Sequence, residues 1–162
     1  MLEASLEQPR LRQLHAYWQE KRGDRPFPAR ADIDPAEMLF ILGDLILFDI
    51  EAGEDGQPRF RYRLFGSNIV QRQGFDMTGK CIDQHPWPGF ANRAREGYLR
   101  LVQTGLPDAI IRREEIDGRL FRHQSLLLPL GITPGTMLGT VQEDQAPRVN
   151  MILVGVAFDP DA

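Results

Sequence analysis

The sequence is poor in three residue types: it has one cysteine, Cys81, two lysines, Lys21 and Lys80, and three histidines, His15, His85 and His123. A lone cysteine leaves no partner for an intrachain disulfide and cannot build a multi-cysteine zinc site. Arginine takes the place of lysine, but the arginines are scattered among acids and the formal net charge is -4. Phosphate binding needs a concentrated basic surface, so this balance argues against a nucleic-acid binder. No apolar run approaches the ~18 residues that a bilayer span requires. The N-terminus, MLEASLEQPRLRQ, carries acids and has no apolar segment of the secretory kind. No membrane association and a cytoplasmic location are therefore expected. A Gly-rich phosphate loop, HExxH and GxSxG are also missing, as are internal repeats and low-complexity tracts.

What is present is ordinary for a folded domain: 162 residues, 42% apolar and 26% charged. Such a chain is most simply one domain that buries about two-thirds of the surface its unfolded form exposes. From Pro9, a suitable first-turn proline, Leu11, Leu14, Tyr17 and Trp18 fall near one side of a helix ending around Arg22 and Gly23. Pro26 and Pro28 mark a connector, and Asp34 followed by Pro35 starts a short helix through Met38. Residues 45–50, LILFDI, form an unbroken apolar run, as in a strand covered on both faces. The loop at 51–58 is acidic and Gly-rich and leads into a second strand, expected to pair antiparallel with the first.

That second strand opens the segment that organises the chain, 59–83, RFRYRLFGSNIVQRQGFDMTGKCID. Phe60, Tyr62 and Leu64 alternate with Arg59, Arg61 and Arg63, which predicts one buried and one wet face. After Gly66, Ser67 and Asn68 can cap a short helix containing Ile69 and Val70, and Gly74 suits a left-handed stop. Asp76, Met77, Thr78 and Gly79 then make a tight turn, not a phosphate cradle. The stretch His85, Pro86, Trp87, Pro88 and Gly89 reads as a loop. Phe90, Ala94, Gly97 or Tyr98 and Leu101 recur at helical spacing in the main helix, which Gly105 and Pro107 end. Residues 109–116 and 119–130 form a hairpin about the Asp117–Gly118 pair, which suits a type I′ turn; 131–148 is turn-rich, and 150–158, NMILVGVAF, is a last strand apolar on both faces.

The strand, Phe65 and Gly66, the short helix, the spacing of Gly74, Asp76, Thr78, Gly79 and Lys80, and the acid at Asp83 together resemble the first half of a PAS domain. The nearest kind is the small stand-alone bacterial PAS proteins with an arginine-rich N-terminal segment. In register with the same pattern are Arg22-Gly23, Pro28 and Arg30, Asp34-Pro35, the Gly105 and Pro107 break, and LLLPL at 126–130, so the resemblance runs from Trp18 to Phe158. It implies an α+β fold: a five-stranded antiparallel sheet with one main helix and short helices on one face, plus an N-terminal helix. Residues 1–30 would form that helix and connector, and 31–162 the PAS-like domain. The arginine strand and the IIRREE strand at 110–115 would lie at the two edges, which charged strands tolerate, with the apolar first and last strands inside. The link between Pro129 and the last strand is longer than the family suggests, which leaves the end of the fourth strand open.

The resemblance implies a sensory or regulatory module, signalling through protein contact, that binds a small molecule or a protein partner and is not an enzyme. Between sheet and main helix it would hold a cavity lined by Tyr62, Leu64, Ile69, Phe75, Trp87, Tyr98 and Leu101, with Arg63, His85 or Arg122 as polar anchors. The alternative is that these aromatics close-pack. Leu11, Leu14 and Trp18 would pack on the back of the sheet or on a second copy, giving a homodimer. Light-sensing relatives bond flavin through a cysteine, but the Asn-Cys-Arg pattern is missing around Cys81, which reads as a core thiol. Haem-binding relatives carry a histidine in the region of His85, which reads here as a packed or surface residue; His15 and His123 are expected at solvent or in hydrogen bonds. The cofactor is thus left open, with flavin and haem disfavoured and no metal expected. Asp76, Asp83 and His85 could on paper form an acid/base set. The rival reading is accordingly a small enzyme of hot-dog-like α+β architecture acting on an acyl or similar small substrate.

Overall fold

In the computed structural model, residues 2–116, 118–133 and 146–159 are described. Four α-helices are found among them: α1 (Leu2–Ser5), α2 (Pro9–Arg22), α3 (Ser67–Gln73) and α4 (Pro88–Thr104). Five strands, β1 (Leu45–Ala52), β2 (Pro58–Phe65), β3 (Asp108–Ile116), β4 (Arg119–Ile132) and β5 (Arg148–Phe158), pair antiparallel in the order β2-β1-β5-β4-β3. The fold is thus α+β with the expected edges, and the most apolar strand, β5, is central. Of the hairpin turn between β3 and β4, Asp117 lies outside the described residues, as does 134–145 of the long link. The fourth strand, whose end the sequence left open, runs to Ile132. No helix among the described residues is long and apolar enough to cross a membrane.

Both faces of the sheet are covered, as its two-sided apolar strands require. On the front, α4 turns Ala91, Ala94, Gly97, Tyr98 and Leu101 inward. Its proline at the first position replaces an N–H that would have no helical acceptor, so the sequence reading of Pro88 and Gly89 as loop runs two residues too far. On the back, α2 lays Leu11, Leu14 and Trp18 on β4 and β5, with exposures of 0%, 0% and 3%. Gly155 of β5 makes that approach feasible, since a Cβ there would sit 2.5 Å from Leu14 Cδ2. The Trp18 indole N–H donates to Pro129 O at 2.9 Å, and Gln124 of β4 bonds both Glu7 N and Ser5 O. The residues proposed for a dimer are therefore spent within the chain's own back layer.

One strand departs from simple alternation. In β2 Phe48 pairs with Tyr62 but Leu47 with Leu64, so Arg63 is an extra residue in a bulge. The bulge shifts the phase: Phe60 and Tyr62 point to the front, Leu64 is turned to the back at 40% exposure, and Phe65 is buried again. Beyond β2 the tight turn folds back on the sheet edge. Tyr62 N donates to Lys80 O (2.9 Å) and Gly79 N to Tyr62 O (2.7 Å), which covers part of an otherwise open edge. Asp76 Oδ1 accepts from Thr78 N and Thr78 Oγ1 at 2.9 and 2.7 Å, and Gly79 has φ 83°. The turn chemistry is that read from the sequence. The cap of α3 is not: Gly66 holds the N-cap position, and no side chain caps the helix.

Candidate functional site

Between the front of the sheet and the α3–α4 layer lies the space where the sequence placed a cavity. Most of it is filled. Tyr98 stacks at 4.7 Å on Phe48 and at 5.5 Å on Phe60, while Tyr62 lies 4.4 Å from Phe48 and 5.3 Å from Phe65. Offset and edge-on aromatic packing of this kind leaves few voids. Burial holds both phenols neutral, with Tyr98 pushed up to about 12 and Tyr62 well above its ordinary value. Leu101 is likewise closed in the core at 1% exposure.

What remains is a hollow of about 30 Å³ towards the ends of β4 and β5, walled by Ile46, Ile69, Tyr98, Leu127, Val154 and Val156. Polar groups converge on it: Gln73 from the last turn of α3, Arg112 from β3, and His123 and Ser125 from β4. His123 and Arg112 face each other in the β3–β4 register. The alternation of β4 sets His123, Ser125 and Leu127 on the same face. Gln73 Oε1 is shut from solvent with no hydrogen-bond partner among the described residues. His15 and His123, read as solvent-facing or hydrogen-bonded, are both buried at 6% exposure.

Beyond Phe90, which lines the hollow, lies an aromatic cluster on the 75–90 segment. Phe75 meets His85 and Trp87 edge-on at 5.2 Å, and His85 lies 4.9 Å from Phe90. Phe90 continues to His123 at 6.4 Å and sits under the Arg112 guanidinium at 5.4 Å. His85 is no exposed anchor: it is 5% exposed, its Nδ1 accepts from Trp87 N at 3.0 Å, and burial lowers its pKa to about 4. A neutral ring carrying its proton on Nε2 follows.

Of the sequence-derived lining, Ile69 and Tyr98 reach the hollow, Phe75, Trp87 and His85 pack in the cluster beyond Phe90 and do not line it, and Tyr62 and Leu101 pack the neighbouring core. Leu64 is on the other face because of the bulge. The expected anchors Arg63 and Arg122 also point elsewhere. Arg63 pairs with Asp49 at 3.2 Å, and Arg122 binds Asp159 at 2.5 Å and Glu7 at 3.0 Å. Gln73, Arg112, His123 and Ser125 were missed. A polar pair two residues apart, His123 and Ser125, inside a strand that is apolar from 126 to 130 was the available signal.

The paper acid/base set dissolves into separate local contacts. Asp76 is held ionised by Thr78, Asp83 faces Arg59 at 3.9 Å on the surface, and His85 serves Trp87. Cys81 is fully buried with Arg59 Nη2 3.4 Å from its Sγ. Among the described residues no group of three or more His, Cys, Asp and Glu side chains could hold a metal ion.

A five-stranded antiparallel sheet, backed by an N-terminal helix and closed in front by one long helix over a small polar hollow, defines a module of the sensory α+β class. The chain belongs to the PAS domain family, whose model matches residues 6–142. Among solved structures, the PAS domain of Bordetella pertussis BvgS is 16% identical, with 91% of this chain and 86% of that one covered at a TM-score of 0.50. A single-substitution variant of RsLOV is 13% identical, over 94% of this chain and 69% of that one, at a TM-score of 0.47. No curated protein sequence matches the chain.

Proposed function

We propose that this PAS domain is a non-catalytic sensory module that holds a small polar molecule between α3, α4 and the front of the sheet and reports it to a protein partner. The observation that carries the reading is Gln73 Oε1. A buried amide oxygen without a donor costs about 1–3 kcal/mol, and here it borders a hollow that His123, Ser125 and Arg112 also line. A ligand bearing an N–H or O–H group would satisfy that oxygen. About 30 Å³ is room for little more than a water molecule, so any larger ligand enters by displacing Phe90 or the 75–90 segment. Few polar groups among apolar walls is the usual make-up of a small-molecule site.

Thermal-shift screening of the whole chain against small hydroxylated and amide metabolites tests this, because a ligand of the folded state raises its melting temperature by mass action. Gln73→Leu should abolish the response while leaving the ligand-free protein as stable or more stable. Tyr98→Ala should also remove it. A screen without a hit, together with a Gln73→Leu protein less stable than the parent, would leave an interaction module with a filled core.

A further inference from the structure

A second hollow, much larger than the front one, lies elsewhere in the fold. It measures about 780 Å³ and opens between α1, the second half of α2, the Pro26–Phe27 connector and the end of α4. Its size falls within the usual range for small organic ligands. Leu2, Trp18, Phe27, Val102, Leu106 and Val149 make the walls apolar. Leu106, 64% exposed, adds apolar surface at the rim.

One cation, Arg22, lines this hollow. Arg22 lies over the Trp18 ring at 5.7 Å and donates from Nη1 to Arg25 O at 3.1 Å. Its Nε is buried and has no acceptor among the described residues. Neighbouring basic residues are served differently: Arg25 pairs with Asp32 at 2.9 Å and Lys21 with Glu37 at 3.1 Å. The one acid lining the hollow, Glu3, is on its exposed rim. The C-termini of α2 and α4 also border the space and repel anions. Their partial charges amount to about half a unit each and fade within a turn, whereas the guanidinium is a full, partly desolvated charge. The sign of the site is set by Arg22.

We propose that this groove is a second ligand site, distinct from the front hollow, and that it takes an organic acid with an apolar tail. The carboxylate pairs with the Arg22 guanidinium where it borders the groove, and the tail covers Trp18, Val102 and Leu106. Such an acid bridges α2 and the end of α4, so its binding ties the N-terminal helix to the sensory layer.

The test uses the full chain with octanoate and 1-octanol as probes, followed by calorimetry and thermal shift. Octanoate should raise the melting temperature and bind about ten-fold more tightly than the alcohol, the gain of a charge-assisted hydrogen bond. Arg22→Met, which keeps the aliphatic stem over Trp18, should bring octanoate down to the alcohol. Leu106→Trp, at an exposed position where folding is not at stake, should block both probes. Gln73→Leu should change neither. Equal affinity of acid and alcohol for the parent chain, no binding of either, or octanoate binding lost in Gln73→Leu but kept in Leu106→Trp would overturn the proposal. The last outcome would assign the acid to the front hollow.

Discussion

Two single residues show how local chemistry sets measurable behaviour. Burial holds His85 neutral with a pKa near 4, below its ordinary value of 6.5. Below pH 6.5 the unfolded chain takes up a proton that the folded one refuses until about pH 4, so this group's contribution is complete above pH 6.5 and lost as pH falls towards 4. His15 is shifted in the same direction, chiefly by burial, and adds to the effect. Urea unfolding at pH 7.5 and at pH 4.5 should show the loss. His85→Asn, which can still accept from the Trp87 N–H, should reduce the difference between the two. At Gly155 the physics is steric. The Gly155→Val side chain would meet Leu14 and Leu11 and push α2 off the sheet, lowering stability by about 1–3 kcal/mol in denaturant titration. The reach of α2 was visible in the sequence as the spacing of Leu11, Leu14 and Trp18. The gap that receives it was not, because a glycine in a strand gives no sign of what approaches it.

At the scale of elements, the bulge in β2 decides more than any side chain there. Alternation read from 60, 62 and 64 assumes an unbroken ladder, and one extra residue at Arg63 reverses the phase after it. That is why Tyr62 packs on Phe48 while Leu64 looks the other way. Helix α2 gives the element-scale test. Its apolar residues are closed against β4 and β5, so Leu14→Asp buries a charge in the back layer and should unfold the protein, not split a dimer. Circular dichroism separates these outcomes: loss of cooperative melting supports the packing described here, and a folded monomer would support the dimer reading of the same residue. The tight turn at 76–79 was fully legible, since its bonds are local and Asp76 and Thr78 carry them. The cap of α3 was not, because Gly66, with φ -57°, holds the position and its N–H bonds Leu45 O across the sheet.

For the molecule as a whole, the two layers over one sheet set what can be removed. Fully burying a leucine-sized side chain contributes about 1.5–3 kcal/mol, and Leu6, Leu11, Leu14 and Trp18 all lie at or below 3% exposure. That sum is comparable to the total stability of an ordinary domain. A chain of 31–162 alone, although its boundary looks natural in the sequence, should bind a hydrophobic dye such as ANS and lack a cooperative thermal transition. A well-folded 31–162 fragment would show that the N-terminal segment is an accessory.

The sequence by itself determined the strands, apart from the end of the fourth, and the position of the long helix, while the strand order came from the family resemblance and agreed with the placement of charge. The strands and the helix follow from periodicity and from Gly and Pro punctuation, and the agreement from the need to keep charged strands at edges, all of which are local or one-dimensional. The interior of the front layer was decided only in three dimensions. Whether Tyr62, Tyr98 and Phe48 enclose a cavity or fill it depends on ångström-scale ring placement, and apolar patterning is the same in both cases. The polar groups of the hollow come from α3, β3 and β4, brought together by strand pairing between residues far apart in the chain. The large groove at the back likewise exists because α2 and the end of α4 meet at one end of the sheet. Arg22, one of many arginines in the sequence, gains its distinction there: tertiary packing removes its Nε from water and offers it no acceptor.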